Sequence, residues 1–272
     1  MENLFFCTRW GSEHLSWTEF AKRVADAGYD GIESSLPTDE RTLQAMTAAL
    51  QHENLKFIGV HWDTVTSDFN QHRKEMSARL QALIALKPLF ITAHTGKDHF
   101  NFEQNLELLL LAQELSLAGA VTIVHETHRG KFSFAAHTTR DFLEKLPWLN
   151  LTLDISHWYA VAESYLQDQA SAVEIALSRT THIHARVGFT QGPQVNDPRR
   201  PEWQEALQHH LKCWDKVVSM QKERGTEIFT FTSEFGPFPY LSTITDPAAA
   251  FAQQWDINNY MKDLLKSRYY AE

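Results

Sequence analysis

Cysteine is nearly absent. Cys7 and Cys213 are the only two in 272 residues, far apart and outside any CxxC pattern. Neither a disulfide framework nor a zinc knuckle follows, and a reducing cytoplasm is the simplest setting. Basic charge is also scarce: 25 Lys and Arg face 34 Asp and Glu, a formal net charge of −9. That balance disfavours a nonspecific grip on nucleic acid, which needs a basic surface, so no nucleic-acid partner is expected. Long hydrophobic runs are missing. The longest aliphatic stretch, Leu108 to Ala112, is far too short to span a bilayer, and no membrane partner is expected. The opening Met1-Glu-Asn lacks a basic region before its short apolar run and reads as a first strand, not a signal peptide. No GxGxxG follows that strand, and no P-loop, Ser-His-Asp order or reactive-cysteine setting stands out. No linker, repeat or low-complexity tract divides the chain, so residues 1–272 are expected to form one domain.

What is present is an even alternation. Hydrophobic residues make up 43% and charged residues 22%, as in a soluble globular protein. Strand candidates are Leu4–Arg9, Gly31–Ser34, Lys56–His61, Leu89–His94, Val121–Glu126, Leu151–Ile155, Thr181–Ala185 and Ile228–Ser233. Several are nearly continuous apolar runs, the mark of parallel strands buried on both faces. A helix candidate follows each. Ser16-Trp-Thr-Glu19 reads as a capping box, with looser versions at Asp68 to Gln71 and Asn101 to Gln104. Asp246-Pro247 places an N-cap before a proline at the first helical position. Gly28, Gly119 and Gly225 sit where helices should stop. Trp203, Leu207, Leu211, Trp214 and Val218 form one apolar helix face. Eight strand–helix units predict an α/β chain closed into a (β/α)₈ TIM barrel. The long connection from Gly188 to Pro201 predicts a lid, a binding loop or a disordered segment.

In such a barrel every strand's C-terminal end reaches the same rim, where catalytic residues gather. Glu126, Asp154, His184 and Glu234 each stand on or just after a strand candidate and would converge there. A carboxylate at the end of a buried strand needs a partner, a proton or a metal. Three carboxylates and one imidazole make an oxygen-rich set that favours Mn²⁺, Mg²⁺ or Co²⁺, with Zn²⁺ also admissible. For any single acid, a salt bridge to a neighbouring strand is the plain alternative. His182 and His184 share a face, and His184 lies nearer the rim, so it is the expected ligand and His182 an interior residue. Arg186 shares their parity further out, suited to an anionic intermediate or a substrate carboxylate. His157 follows Asp154 by three positions and could bind a substrate oxygen or a second metal. His61 and His94 end the third and fourth strands. Trp10, Trp62 and Trp158 fall at or after strand ends, where they could face a sugar or simply pack. Arg129 and Lys131 follow Glu126 and could attract a phosphate or carboxylate, or form a solvated loop.

Gly28-Tyr-Asp-Gly-Ile-Glu33, Val124-His-Glu126, Leu153-Asp154-Ile-Ser-His157, His182-Ile-His184 and Ser233-Glu234 run through nearly the whole chain. In that order they resemble the xylose isomerase-like TIM-barrel superfamily, whose members include sugar isomerases, ketose 3-epimerases, inosose dehydratase and endonuclease IV. The resemblance to the ketose epimerases implies one divalent metal on Glu126, Asp154, His184 and Glu234. It also implies Glu126 and Glu234 as the proton-transfer pair on either side of a sugar held by rim residues, working through an enediolate. A metal-dependent sugar isomerase or epimerase, with a small sugar or polyol as substrate, is therefore expected. Two further reactions stay open: an inosose dehydratase-like lyase and an endonuclease IV-like phosphodiesterase. Against the latter, the loop reads Val195-Asn-Asp-Pro-Arg199, without the Asp-x-His pair of that family. A non-catalytic binding barrel has little reason to gather so many acids at one rim. Many members of that superfamily are dimers or tetramers, which leaves a homo-oligomer open.

Overall fold

The computed structural model describes residues 1–241 and 246–269. Eight strands run β1 Glu2–Thr8, β2 Gly31–Ser34, β3 Lys56–His61, β4 Ile91–Ala93, β5 Ile123–Glu126, β6 Leu151–Leu153, β7 Thr180–His184 and β8 Ile228–Ser233. All neighbours are parallel, and β8 returns to β1 to close the barrel. The helices are α1 Trp17–Asp26, α2 Glu40–His52, α3 Phe69–Ala85, α4 Phe102–Gly119, α5 Ala136–Lys145, α6 Ser156–Ala162, α7 Ala170–Ser178, α8 Gln204–Glu223 and α9 Pro247–Tyr269. Among the described residues no helix is long and apolar enough to cross a membrane.

The helix starts follow their local chemistry. Glu19 N donates to Ser16 Oγ at 3.2 Å and Ser16 N to Glu19 Oε2 at 3.0 Å. Asn101 and Gln104 close the same reciprocal pair ahead of α4. Asp68 caps α3 through Gln71 N at 2.8 Å. Gly28 and Gly225 take the left-handed conformation after α1 and α8, at φ of +73° and +72°. Gly119 does not stop α4. The helix runs through it and Ala120 turns left-handed instead, at φ +52°. Gly119 is small for another reason: a Cβ there would lie 2.3 Å from Ile84 Cγ2 of α3. On α8, Leu207, Leu211, Trp214 and Val218 are buried as one face, each contributing about 1.5–3 kcal/mol of burial.

Three strands are shorter than expected, β5 because it begins at Ile123 and not at Val121. β4 spans only Ile91–Ala93, although Leu89 N and His94 N still donate to β3 carbonyls. β6 ends at Leu153 because Ile155 is already in the helical region and starts α6. The connection from Gly188 to Pro201 is pinned. Val195 N bonds Val187 O at 2.8 Å, and Gln194 exchanges two hydrogen bonds with the Gly236 backbone at 3.1 and 2.7 Å.

Register decides what enters the lumen. Leu4 and Phe6 of β1, Ile58 of β3 and Phe90 form a small apolar plug. Side chains alternate along a strand. Pairings of Phe6 with Gly31, Glu33 with Ile58, Val60 with Thr92, and Thr92 with Val124 therefore carry one parity round the barrel. Thr92 and Thr152 meet inside it at 3.1 Å. Glu33, Glu126, His182 and His184 share this inward set, and Asp154 and Glu234 continue it just beyond β6 and β8. His61 has the opposite parity, paired with Ala93.

Candidate metal centre

Three of the four expected ligands converge. One ligand atom each from Glu126, His184 and Glu234 lies within 4.8 Å of the others. His184 Nδ1 is 3.0 Å from Glu234 Oε2 and 3.5 Å from Glu126 Oε2. His94 Nε2 approaches Glu126 Oε2 at 2.5 Å. Close as these contacts are, none makes an aligned hydrogen bond. Both Glu126 oxygens, His184 Nδ1 and Glu234 Oε2 are buried with no hydrogen-bond partner among the described residues. Buried carboxylate oxygens left this way are costly. A divalent cation held by one oxygen of each glutamate and by His184 Nδ1 would relieve that cost, so the donor set fits one.

His184 is aimed by Glu33, a residue that the sequence reading placed in a family motif but not in the site. His184 Nε2 lies 3.1 Å from both Glu33 oxygens, and His182 Nε2 3.3 Å from one of them. His182 is further fixed by Thr230, 2.7 Å from its Nδ1. With Nε2–H donated to a carboxylate, a neutral His184 presents its Nδ1 lone pair to Glu126 and Glu234. That is the usual second tier behind a metal-binding imidazole. Burial disfavours charge on His184, but Glu234, Glu33 and Glu126 outweigh it and raise its proton affinity well above the ordinary value. Burial likewise opposes ionisation of Glu126, yet His94 and His184 hold it well below the usual carboxylate range. Three acids around one imidazole call for positive charge.

Asp154 stands apart. Its Oδ2 accepts from Arg186 Nε at 3.0 Å and also from Nη2, and its Oδ1 accepts from Ser156 N and Oγ at 3.0 and 2.5 Å. Burial, opposed by Arg186 and assisted by Glu234 and Glu126, pushes Asp154 up to about 6. Here the expected four-ligand set resolves into three convergent residues and an ion pair. Arg186 lies one pleat beyond His184, and its fork reaches Asp154 before anything else does. It also stands 2.6 Å from His157 Nε2, while Arg129 Nη1 lies 2.9 Å from His157 Nδ1. A neutral imidazole has one accepting nitrogen, so only one of these is a hydrogen bond.

The remaining rim residues divide. Trp10 meets Tyr240 edge-on at 5.5 Å, with the Arg186 guanidinium 6.0 and 5.6 Å from the two rings. A Cβ at Gly236 would strike the Trp10 ring at 2.0 Å, so glycine makes room for it. His128, not singled out in the sequence, bridges His94 and His157 with ring separations of 4.6 and 3.9 Å. His61 does not join the cluster: its outward parity buries it against Thr64, 2.7 Å from Nε2. Trp62 is 52% exposed at the surface. Trp158 is interior, donating to Ser133 O at 2.7 Å.

A parallel eight-stranded barrel with acids and histidines at its C-terminal rim defines the class. A family profile describing the xylose isomerase-like TIM barrel matches residues 21–201, and the chain belongs to that family. Similar solved structures include a probable 3-DHS dehydratase involved in petrobactin synthesis from Bacillus anthracis. It is 14% identical, with a TM-score of 0.60 over 94% of this chain and 98% of that one. A 3-keto-D-glucoside 4-epimerase from E. coli is 12% identical, with a TM-score of 0.60 over 96% and 100%. Endonuclease IV from Thermus thermophilus is 11% identical, with a TM-score of 0.58 over 93% and 99%. Identities this low establish the shared fold alone. No curated protein sequence matches the chain.

Proposed function

We propose that this protein is a divalent-metal-dependent isomerase or epimerase of a small sugar or related polyol carbonyl compound. The observation that carries the reading is the trio Glu126, His184 and Glu234, whose buried acceptor atoms converge without partners of their own. These three would hold the cation, while Asp154 keeps the Arg186 guanidinium. Mn²⁺, Mg²⁺ or Co²⁺ suits the oxygen-rich set. When bound, the metal supplies Lewis-acid polarisation of the substrate's carbonyl oxygen.

The chain's own residues do the rest. Glu126 and Glu234 flank His184 and act as the proton-transfer pair, one removing the hydrogen beside the carbonyl and the other returning one. Each needs one carboxylate oxygen not committed to the cation. Histidines hold Glu126 ionised, the form a base requires. Return of the proton to the neighbouring carbon isomerises, and return to the opposite face of the same carbon epimerises. His94 and His157 supply imidazole groups beside Glu126 and Arg186 for substrate hydroxyls. Trp10 would offer a ring face for a sugar's C–H groups.

The test is a screen of ketoses, aldoses and inososes with each metal in D₂O, read by NMR. Wild type should take up deuterium at the carbon beside the carbonyl. At saturating metal, at least one of Glu126→Gln and Glu234→Gln should slow that uptake by about 10²–10⁴ while sugar binding persists. Wild-type exchange in both variants would remove the two glutamates from proton transfer. Loss of water in the same spectra would assign the lyase reaction, which starts with the same proton abstraction.

A further inference from the structure

The loops after β4 and β5 carry His94 and Glu126, which touch. They also carry two lysines. Lys97 lies three residues beyond His94, and Lys131 five beyond Glu126. Both backbones are built in place. Asn105 clamps Lys97, accepting from its N at 3.2 Å and donating to its O at 2.9 Å. Gly96 is left-handed beneath Asn105, at φ +66°, and a Cβ there would fall 2.0 Å from Asn105 Oδ1. On the other loop, Lys131 N donates to His128 O at 3.2 Å and Lys131 O accepts from Phe134 N at 3.1 Å. Phe132 N donates to Thr95 O at 3.2 Å, clipping the two loops together.

Lys131 is 7% exposed, yet its ammonium makes no hydrogen bond or ion pair among the described residues. The acids around it are engaged elsewhere: Asp63 with Arg79 at 2.9 Å, Asp98 with His99 at 3.3 Å, and Glu126 in the cluster. Burial, then the neighbouring Lys97, push Lys131 down to about 8. The other rim cations are spoken for. Arg186 holds Asp154, and Arg129 donates to Tyr240 Oη at 2.7 Å and lies 2.9 Å from His157 Nδ1. An ammonium on a largely buried stem, with a second lysine on the facing loop and no ion pair of its own, carries a charge that an anion relieves.

We infer that Lys131 and Lys97 form a subsite for an anionic substituent, phosphate or carboxylate, on the substrate of the neighbouring metal cluster. The inference rests on the isomerase or epimerase reading for what that substrate is, but its test needs no turnover. Inorganic phosphate, D-gluconate and the neutral polyol sorbitol are titrated calorimetrically into the full chain at low ionic strength. Wild type should bind at least one of the anions in preference to sorbitol. Tighter binding of phosphate identifies a phosphorylated sugar, and tighter binding of gluconate a sugar acid. Lys131→Met keeps the apolar stem and should weaken the anion about tenfold or more, the scale of one lost charged hydrogen bond. Lys97→Met should weaken it less, and Lys131→Arg should bind like wild type. Metal content of Lys131→Met should match wild type, which separates loss of the subsite from loss of the metal centre. If Lys131→Met fails to fold, trace acetylation of wild type decides: phosphate or gluconate should protect Lys131 several-fold and leave exposed Lys222 unprotected. Equal anion binding by Lys131→Met, no protection of Lys131, or no preference for either anion over sorbitol would overturn the inference.

Discussion

At the scale of single residues, Glu33 is the informative one. It touches neither Glu126 nor Glu234 in the contacts above, yet it sets which nitrogen of His184 faces them. Glu33→Gln keeps the shape but weakens the acceptor, and metal affinity measured by Mn²⁺ titration should fall about 10–100-fold. Unchanged affinity would mean that Glu33 only fills the lumen. Asp154 allows a second measurement. If the cation rests on Glu126, His184 and Glu234, Glu126→Gln should lose far more metal than Asp154→Asn. Equal loss would mean that Arg186 yields Asp154 to the cation on loading. Either way Asp154→Asn strands a buried guanidinium and should melt earlier, by the order of 3–5 kcal/mol seen when one member of a buried pair is removed. The preference for His184 over His182 was legible from position along the strand, since the two share a face and His184 lies nearer the rim. The role of Glu33 was not, because its partners are 149 and 151 residues away. Nor was the Asp154–Arg186 pairing, since parity gives a side chain's face and not the charge it meets there. His61 shows the converse: a strand-end histidine one residue out of phase leaves the lumen.

At the scale of elements, local signals read well where the chemistry is local. The capping boxes at Ser16 and Asn101 depend on four consecutive residues and formed as their spacing implies. Gly119 failed as a stop signal because its smallness answers to α3, a contact that helix-end rules do not see. This gives a prediction of opposite sign to propensity. In an open helix, glycine to alanine gains about 1 kcal/mol. Gly119→Ala should instead destabilise by about 1–3 kcal/mol through overpacking against Ile84, read as a lower denaturant midpoint. The cost should shrink when Ile84→Ala is added, and a gain in stability for Gly119→Ala alone would refute the packing argument. The connection from Gly188 to Pro201 was expected as a lid, a binding loop or a disordered stretch. Gln194 and Val195 tie it to the β8 side and to its own start, so it serves as a wall of the rim.

At the scale of the whole molecule, strand count and alternation were enough for the barrel, because parallel strands buried on both faces leave few other closures. The reaction was less legible, since the family's rim acids serve several chemistries. Two bulk measurements bear on it. With net charge −9, an abasic duplex with Zn²⁺ should not be nicked at a useful rate, and strong metal-dependent incision would displace the sugar reading. Added Mn²⁺ should raise the melting temperature by several degrees, as expected from about 2.7 kcal/mol at a hundredfold excess over the dissociation constant, and a chelator should reverse it. The seam between β1 and β8 has a consequence for how the protein is made. β1 leaves the ribosome ahead of its partner β8, which follows only some 220 residues later, roughly 10–45 s at ordinary rates of synthesis. Through that interval the run Leu4-Phe-Phe-Cys7 can pair with β2 on one side only, and its open side is the kind of edge that invites aggregation and chaperones. Glu234 follows directly on the strand that ends this exposure, so the nascent chain hides its stickiest edge and completes its acidic rim in the same step.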